Sequence, residues 1–537
     1  MSLRKSIVDG RWRAGLSGLL AAAAGIAVAE LLASFGDPGS GPAVAVGGVL
    51  VDAAPTPVKE FAVRTFGTND KPVLLTGVAL GIAVIAVIVG VFAARRRWFG
   101  PAGAGLFALA GAAAAVSRPA AGLLAALPSL AGGVVTALAL AALNGQKPSS
   151  ANAKSSRGFR GRFAPAPGRE LLAPCTPATV APEPTAFDRR KFLRAAATVS
   201  AVAAAAGAGA VATRRVRGGA ATRDREAVRL PAPANPAPPL PPGQDPGFVT
   251  ANRDFYRVDT ALTVPHVNLD TWRLRIHGRV EHPRTFTFAE LLQRPLTERD
   301  ITLNCVSNEV GGPYIGTARW LGVPLAPLLR EAGIDPAADQ VVARSVDGMS
   351  IGTPVRTVLE TPDVMLCVGM NGEPLPLEHG FPVRMLTPGI YGYAGACKWL
   401  NSLELTTFDA FNAYWVARGW APRGPVKTAS RIDRPASFGH VPAGSAPVAG
   451  VAWAQGRGIA AVEVQVDDEA WRPAELLPVP SEDTWVQWRL TWAATPGPHT
   501  LRVRATDKTG AVQPEARVTP FPDGATGWHT VTVTVDG

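Results

Sequence analysis

The chain has 537 residues, enough for three or four domains rather than one compact core. Hydrophobic residues make up 47% and charged residues 18%, with mean hydropathy +0.14; this excludes a disordered chain, and it is apolar for a wholly soluble one. The four cysteines exclude a disulfide framework, and the net charge of +11 belongs to one half only: residues 1–240 hold 27 Lys+Arg against 11 Asp+Glu, residues 241–537 hold 26 against 31, so the basic excess flanks apolar runs and does not mark a nucleic-acid partner.

Residues 1–143 read as a four-helix transmembrane region. Residues 14–34 are broken only by Glu30, and residues 73–94, 98–117 and 119–143 follow with little or no charge. Each run is near the ~20 residues needed to cross a bilayer as a helix, the form that satisfies its own backbone there. The small residues of the last two predict a close helix pair. Arg4, Lys5, Arg11 and Arg13 place the N-terminus in the cytoplasm, as do Arg95, Arg96 and Arg97 for the second connection. Residues 35–72 read as an outer loop of mixed charge. Residues 144–194, with ten Lys/Arg, read as a disordered cytoplasmic linker that contains Cys175. The linker ends in Asp188-Arg189-Arg190-Lys191-Phe192-Leu193-Arg194, which resembles a twin-arginine export signal. Residues 195–213 form a fifth span, which sends the rest of the chain outside. A proline-rich linker, residues 214–244, has seven prolines within 231–242. All seven histidines lie at 266 or later, so this half has no bis-histidine haem site and no haem is expected.

From residue 245 to about 410 the texture changes to short strands and helices. Residues 272–278 alternate as a strand ending at Gly278, and Thr287 caps a helix over 288–292. A second helix over 323–332 ends at Gly333. A strand over 301–304 runs into Cys305 and a polar, glycine-containing loop, where a thiol can serve as a soft metal ligand. Asn371-Gly372 is a hairpin signal. His379, Arg384 and Lys398 bring three anion-binding side chains into one turn-rich region suited to phosphate; solvated surface charges are the alternative. Residues 411–537 alternate over 461–466, 501–504 and 530–535 with turns between, which predicts a β-sandwich with Trp453, Trp471, Trp485, Trp488 and Trp492 in its core and interfaces.

Together the run MNGEPLPLEHGFPVR, the KWL element and the cysteine loop before TARWLGVPL resemble the sulfite oxidase family of molybdopterin-dependent oxidoreductases. The resemblance implies a multi-domain chain: the helical bundle, an α+β molybdopterin-binding catalytic domain over 245–410 and an immunoglobulin-like dimerisation domain over 411–537. It implies molybdenum held by Cys305 and one molybdopterin. It matches Tyr256, Arg257, Asp347, His379, Arg384 and Lys398 to cofactor contacts, the last three to the phosphate. Asp259 stands where sulfite oxidases proper carry His. The arginine-bearing run that follows the metal cysteine there is Val306-Ser307-Asn308-Glu309 here, and the catalytic tyrosine falls near Met349. The implied activity is two-electron oxygen-atom transfer between Mo(VI) and Mo(IV) on a small molecule other than sulfite, with a separate electron-transfer partner and a homodimer. The expected location is the cell membrane, multi-pass, with the catalytic half extracytoplasmic. An anchored, cofactor-free binding module on the same scaffold is the alternative.

Overall fold

The computed structural model describes residues 2–66, 69–96, 98–119, 121–145, 189–244 and 246–537. The linker over 146–188, with Cys175, Arg97 and the Asp188 end of the twin-arginine motif lie outside the described residues. Two compact units are present: Met1–Val49, Leu74–Val116 and Leu123–Ala212 in the first; Leu50–Val73, Ser117–Gly122 and Thr213–Gly537 in the second.

Among the described residues seven α-helices come first: α1 (Ser2–Phe35), α2 (Pro42–Ala53), α3 (Thr56–Phe66), α4 (Asp70–Arg95), α5 (Phe99–Val116), α6 (Leu127–Leu143) and α7 (Arg189–Ala227). Arg11–Phe35, Asp70–Arg95, Phe99–Val116, Leu123–Leu143 and Arg190–Ala227 are long and apolar enough to cross a membrane. Within the first unit, glycines let helices touch at backbone distance. A Cβ on Gly25 would lie 2.4 Å from the Gly132 carbonyl oxygen and would strike the Thr136 side chain, so α1 and α6 approach this closely only because Gly25 has none. A Cβ on Gly133 would stand 2.3 Å from the Ala108 Cβ, which bears out the expected tight pairing of α5 and α6.

Two features differ from the sequence expectation. Residues 35–72 are not a plain loop, since α2 and α3 lie within them. The last helix does not end near residue 213 but continues through Arg214, Arg215 and Arg217 to Ala227. Ala and Arg are strong helix formers and no proline intervenes before Pro231, so charge ends the apolar run without ending the helix.

The central part of the second unit contains β1 (Leu274–Gly278), β2 (Arg284–Phe286), α8 (Phe288–Leu292), β3 (Thr297–Asn304), β4 (Ile315–Pro324), α9 (Leu325–Ala332), β5 (Gln340–Ser345), β6 (Ser350–Pro354), α10 (Val355–Glu360), β7 (Met365–Met370), β8 (Glu373–Pro374), β9 (Arg384–Leu386), α11 (Gly392–Gly395) and β10 (Leu400–Thr406). One sheet runs β2-β1-β10-β5-β6, with β1 and β10 parallel; the other runs β3-β4-β7-β8, with β9 on β7. Leu274 and Ile276 from β1, Leu366 and Val368 from β7, and Leu325, Leu328 and Leu329 from α9 share one buried core. The i, i+3, i+4 spacing of the α9 leucines turns one face inward. That helix starts two residues later than expected because Val323 and Pro324 complete β4. α8 opens with a full capping box: the Thr287 N–H donates to Glu290 Oε2 at 2.7 Å and the Glu290 N–H to Thr287 Oγ1 at 3.2 Å.

The C-terminal part contains β11 (Ala429–Arg434), β12 (His440–Pro442), β13 (Gly444–Trp453), β14 (Ile459–Val466), β15 (Arg472–Pro473), β16 (Glu475–Leu476), β17 (Val486–Ala494), β18 (Gly497–Asp507) and β19 (His529–Asp536). They form two sheets, β11-β13-β17-β16 and β12-β19-β18-β14-β15. Val448 and Trp488 of one sheet and Val464, Val503 and Val533 of the other are buried in a common core. Trp453 and Trp485 instead join Phe248, Val306, Ile315 and Tyr391 in a cluster that ties these sheets to the residues flanking Cys305.

Candidate functional site

β3 carries buried Ile301 and Leu303 and delivers Cys305 one residue past its end. Cys305 is 8% exposed and free, and its Sγ lies 2.9 Å from Ser307 Oγ. Its N–H donates to the Tyr314 carbonyl at 3.0 Å, and Asn308 Oδ1 accepts from the Tyr314 N–H at 2.8 Å. The loop is therefore a closed turn, and it holds the sulfur at the sheet edge. Burial pushes the Cys305 thiol up, and Ser307 and Lys398 offset only part of that rise.

The hairpin between β7 and β8 fixes the next group. Met370 pairs with Glu373, and Asn371 and Gly372 both have positive φ, at 51° and 81°, as a two-residue turn of this hand requires. Asn371 does more than turn. Its Nδ2 donates to the Thr250 carbonyl at 2.9 Å and to Asn252 Oδ1 at 2.8 Å, and its Oδ1 accepts from the Arg319 N–H at 2.9 Å. The segment leading to Tyr256 and Arg257 is thereby pinned to the hairpin. His379 adds a second pin, with its Nε2 2.9 Å from the Asn252 carbonyl oxygen, so that nitrogen carries the proton. Burial first, then Arg384, brings the His379 imidazole down to about 4, so it is neutral at pH 7.

Arg384 and Lys398 sit on adjacent segments. The Met385 N–H donates to the Cys397 carbonyl and the Leu400 N–H to the Val383 carbonyl, both at 2.9 Å. Arg384 is 6% exposed, stands 5.3 Å from the Trp320 ring centre and has no partner for its Nε among the described residues. Lys398 donates to Asp259 Oδ2 at 2.6 Å and to the Glu378 carbonyl at 3.2 Å. Arg257 reaches the same Asp259 oxygen at 3.1 Å. Burial lowers Lys398 to about 8 despite Asp259 beside it. Burial alone would raise the Asp259 carboxyl, yet Lys398 and Lys71 hold it well below the usual carboxylate range.

The charges of Cys305, Tyr256, Arg384, Lys398 and Asp259 each act on another member of this set, so the structure gathers them in one place. Asp347 is placed differently. It lies in the β5–β6 turn, accepts from the Met349 N–H at 3.2 Å, and approaches the group through Cys397 and through the Val346 N–H bond to the Trp399 carbonyl. The sequence alone does not mark Asn252, Asn371, Ser307 and Lys71 as site residues. Only Asn371 carried a signal, and that signal was for a turn.

Residues 261–415 match the family described as oxidoreductase molybdopterin binding domain. Sulfite oxidase of Gallus gallus is 30% identical over 337 residues, covering 52% of this chain and 72% of that protein. The chain belongs to the sulfite oxidase family. It is a molybdopterin-binding oxidoreductase, and its cofactor is molybdenum–molybdopterin. Inducible nitrate reductase [NADH] 2 of Glycine max is 34% identical over 221 residues, 36% of this chain and 25% of that one. Among solved structures, the sulfane dehydrogenase SoxCD of Paracoccus pantotrophus matches with TM-score 0.46 and 25% identity, over 54% of this chain and 81% of that chain.

The residues of this family member fit its cofactor. A free buried thiol lies beside an excess of cations, and Arg384 Nε, Asn304 Oδ1 and Thr387 Oγ1 are buried without partners among the described residues. Orphaned polar atoms at this depth are costly unless a ligand completes them.

Proposed function

We propose that this molybdenum oxidoreductase is anchored in the cell membrane with its catalytic half outside, and that it moves an oxygen atom to or from a small neutral molecule such as a sulfoxide, exchanging two electrons with a separate redox partner. The loop after Cys305 carries this reading. Val306-Ser307-Asn308-Glu309 presents a carboxylate and no cation, and Glu309 is close enough to bear on Tyr314. Arg431 reaches the end of this loop: its Nη1 donates to the Gly312 carbonyl at 2.8 Å and its Nε pairs with Asp433 at 2.5 Å. The run after the cysteine offers a doubly charged anion such as sulfite no cation of its own, and a neutral substrate needs none.

In this proposal Cys305 holds the metal, Arg384, Lys398 and Arg257 hold the pterin phosphate, and Tyr256 and Asp347 line the cofactor. The bound cofactor supplies the two-electron oxygen-transfer chemistry. The chain's own part is to bind and shield. His379 contributes as a neutral positioning residue, because its Nε2 proton is committed to the Asn252 carbonyl. Tyr256 keeps its phenolic proton: burial, then Cys305, pushes it far above the ordinary value, leaving a hydrogen-bond donor beside the sulfur. The apolar cluster of Phe248, Val306, Ile315, Tyr391 and Trp453 excludes bulk water on that side. The five apolar helices and the alternation of basic connections support the anchor and its topology. The basic pair at Arg189-Arg190 supports twin-arginine export, and the two-sheet C-terminal part supports an immunoglobulin-like dimerisation domain over 411–537.

A substrate screen with artificial electron dyes tests the proposal. Sulfoxide turnover is expected to exceed sulfite turnover; efficient sulfite oxidation with no sulfoxide activity overturns it.

A further inference from the structure

The second compact unit includes Leu50–Val73, a stretch far from the catalytic residues in sequence. It is fastened at both ends. At one end Asp52 accepts from the Tyr414 hydroxyl, from Arg118 at 2.7 Å and from Arg418 at 3.1 Å. Lys59 lies 5.9 Å from the Trp415 ring centre in between. At the other end Lys71 Nζ donates to Asp259 Oδ1, while Oδ2 of the same carboxylate takes Lys398 and Arg257.

The charge count at Asp259 does not balance. One carboxylate, 5% exposed, faces Lys71 at 17%, Lys398 at 8% and Arg257 at 33%, with buried Arg384 close enough to act on it. Ammonium groups held on the two oxygens of one carboxylate repel each other at low dielectric, and a single negative charge leaves the cluster strongly positive. A phosphate monoester of charge near −2 would offset most of the excess, and lysine serves such groups as a point charge.

From this we infer that Lys71, in the first turn of α4, is a cofactor-binding residue: it is the fourth cation of the pterin-phosphate site, so the site is incomplete without the N-terminal half of the chain. The inference rests on the cofactor assignment and not on the identity of the substrate. Asp259 acts as the positioning residue that gathers Lys71, Lys398 and Arg257 before the phosphate arrives.

The test uses the full chain in detergent or nanodiscs, as wild type, Lys71→Gln and Lys71→Arg. Molybdenum per chain is measured by elemental analysis, and pterin release by fluorescence over time after gel filtration. Lys71→Gln is expected to release pterin about tenfold faster, and Lys71→Arg to stay near wild type. Release from Lys71→Gln at the wild-type rate overturns the inference, as does equal loss in both variants, which would show a packing role without a charge role. Arginine keeps the charge and the long stem, so a folded variant remains for comparison even if the glutamine form is poorly made. Wild-type protein without molybdenum or pterin would instead refute the cofactor assignment itself, and this outcome is visible before any variant is compared.

Discussion

Arg384→Met should have opposite effects on the empty and the loaded protein. The guanidinium is 6% exposed, its Nε bonds to nothing among the described residues, and burial lowers its pKa despite nearby Tyr256 and Asp259. A buried donor without a partner costs about 1–3 kcal/mol, and an apolar side chain of similar volume removes that cost. Methionine can follow the same path along the Trp320 ring. At roughly 2–4 °C per kcal/mol for a domain of this size, the melting temperature of cofactor-free protein should rise by several degrees. With cofactor the sign reverses. One charge-assisted bond to phosphate is lost, about 1.5–3 kcal/mol, which is about 10–100-fold in retention. The assay compares thermal melting of protein from a host that cannot make the pterin with pterin release from protein made in a competent host. If cofactor-free Arg384→Met melts below wild type, or if the loaded variant keeps its pterin as well as wild type, the reasoning fails.

Two other outcomes follow from the same geometry. Burial and Arg384 bring His379 to about 4, so the unfolded chain takes up a proton that the folded chain refuses; stability is full above about pH 6.5 and is lost as the pH falls toward 4, by about 3 kcal/mol. His379→Gln should flatten that part of the denaturation-midpoint profile, and superimposable acid limbs for the two proteins would contradict it. Cys305→Ser should abolish turnover and sharply reduce molybdenum per chain, since a hydroxyl is a poor soft-metal ligand; full activity in that variant would exclude Cys305 as the ligand.

Local chemistry made much of the catalytic half legible. Thr287 and Glu290 announce a capped helix, Asn371-Gly372 announces its turn, and the apolar strand ahead of Cys305 announces a buried thiol at a sheet end. Each of these signals spans only a few residues. The ties that complete the site span many more: Lys71 to Asp259 across 188 residues, Asp52 to Tyr414 across 362 and Arg225 to the Leu375 carbonyl across 150. No periodicity or motif encodes such pairings, and a mixed-charge stretch such as 50–73 looks like solvated loop until its partners are seen. The arginines after residue 213 misled for the opposite reason: hydropathy reports where an apolar run ends, while helix propensity decides where the helix ends.

The parallel pairing of β1 with β10 ties the two ends of the central domain together. Arg275 faces Ser402 and Gly278 faces Leu405, so the first strand of the central domain, with β2 on one side, takes its other neighbour from the last. Lys398 lies two residues before β10. The pairing of β10 with β1 and β5 therefore fixes the segment that carries this ammonium group to Asp259. An anionic ligand that binds this ammonium group therefore also favours the paired sheet, since whatever binds the folded arrangement stabilises it by mass action.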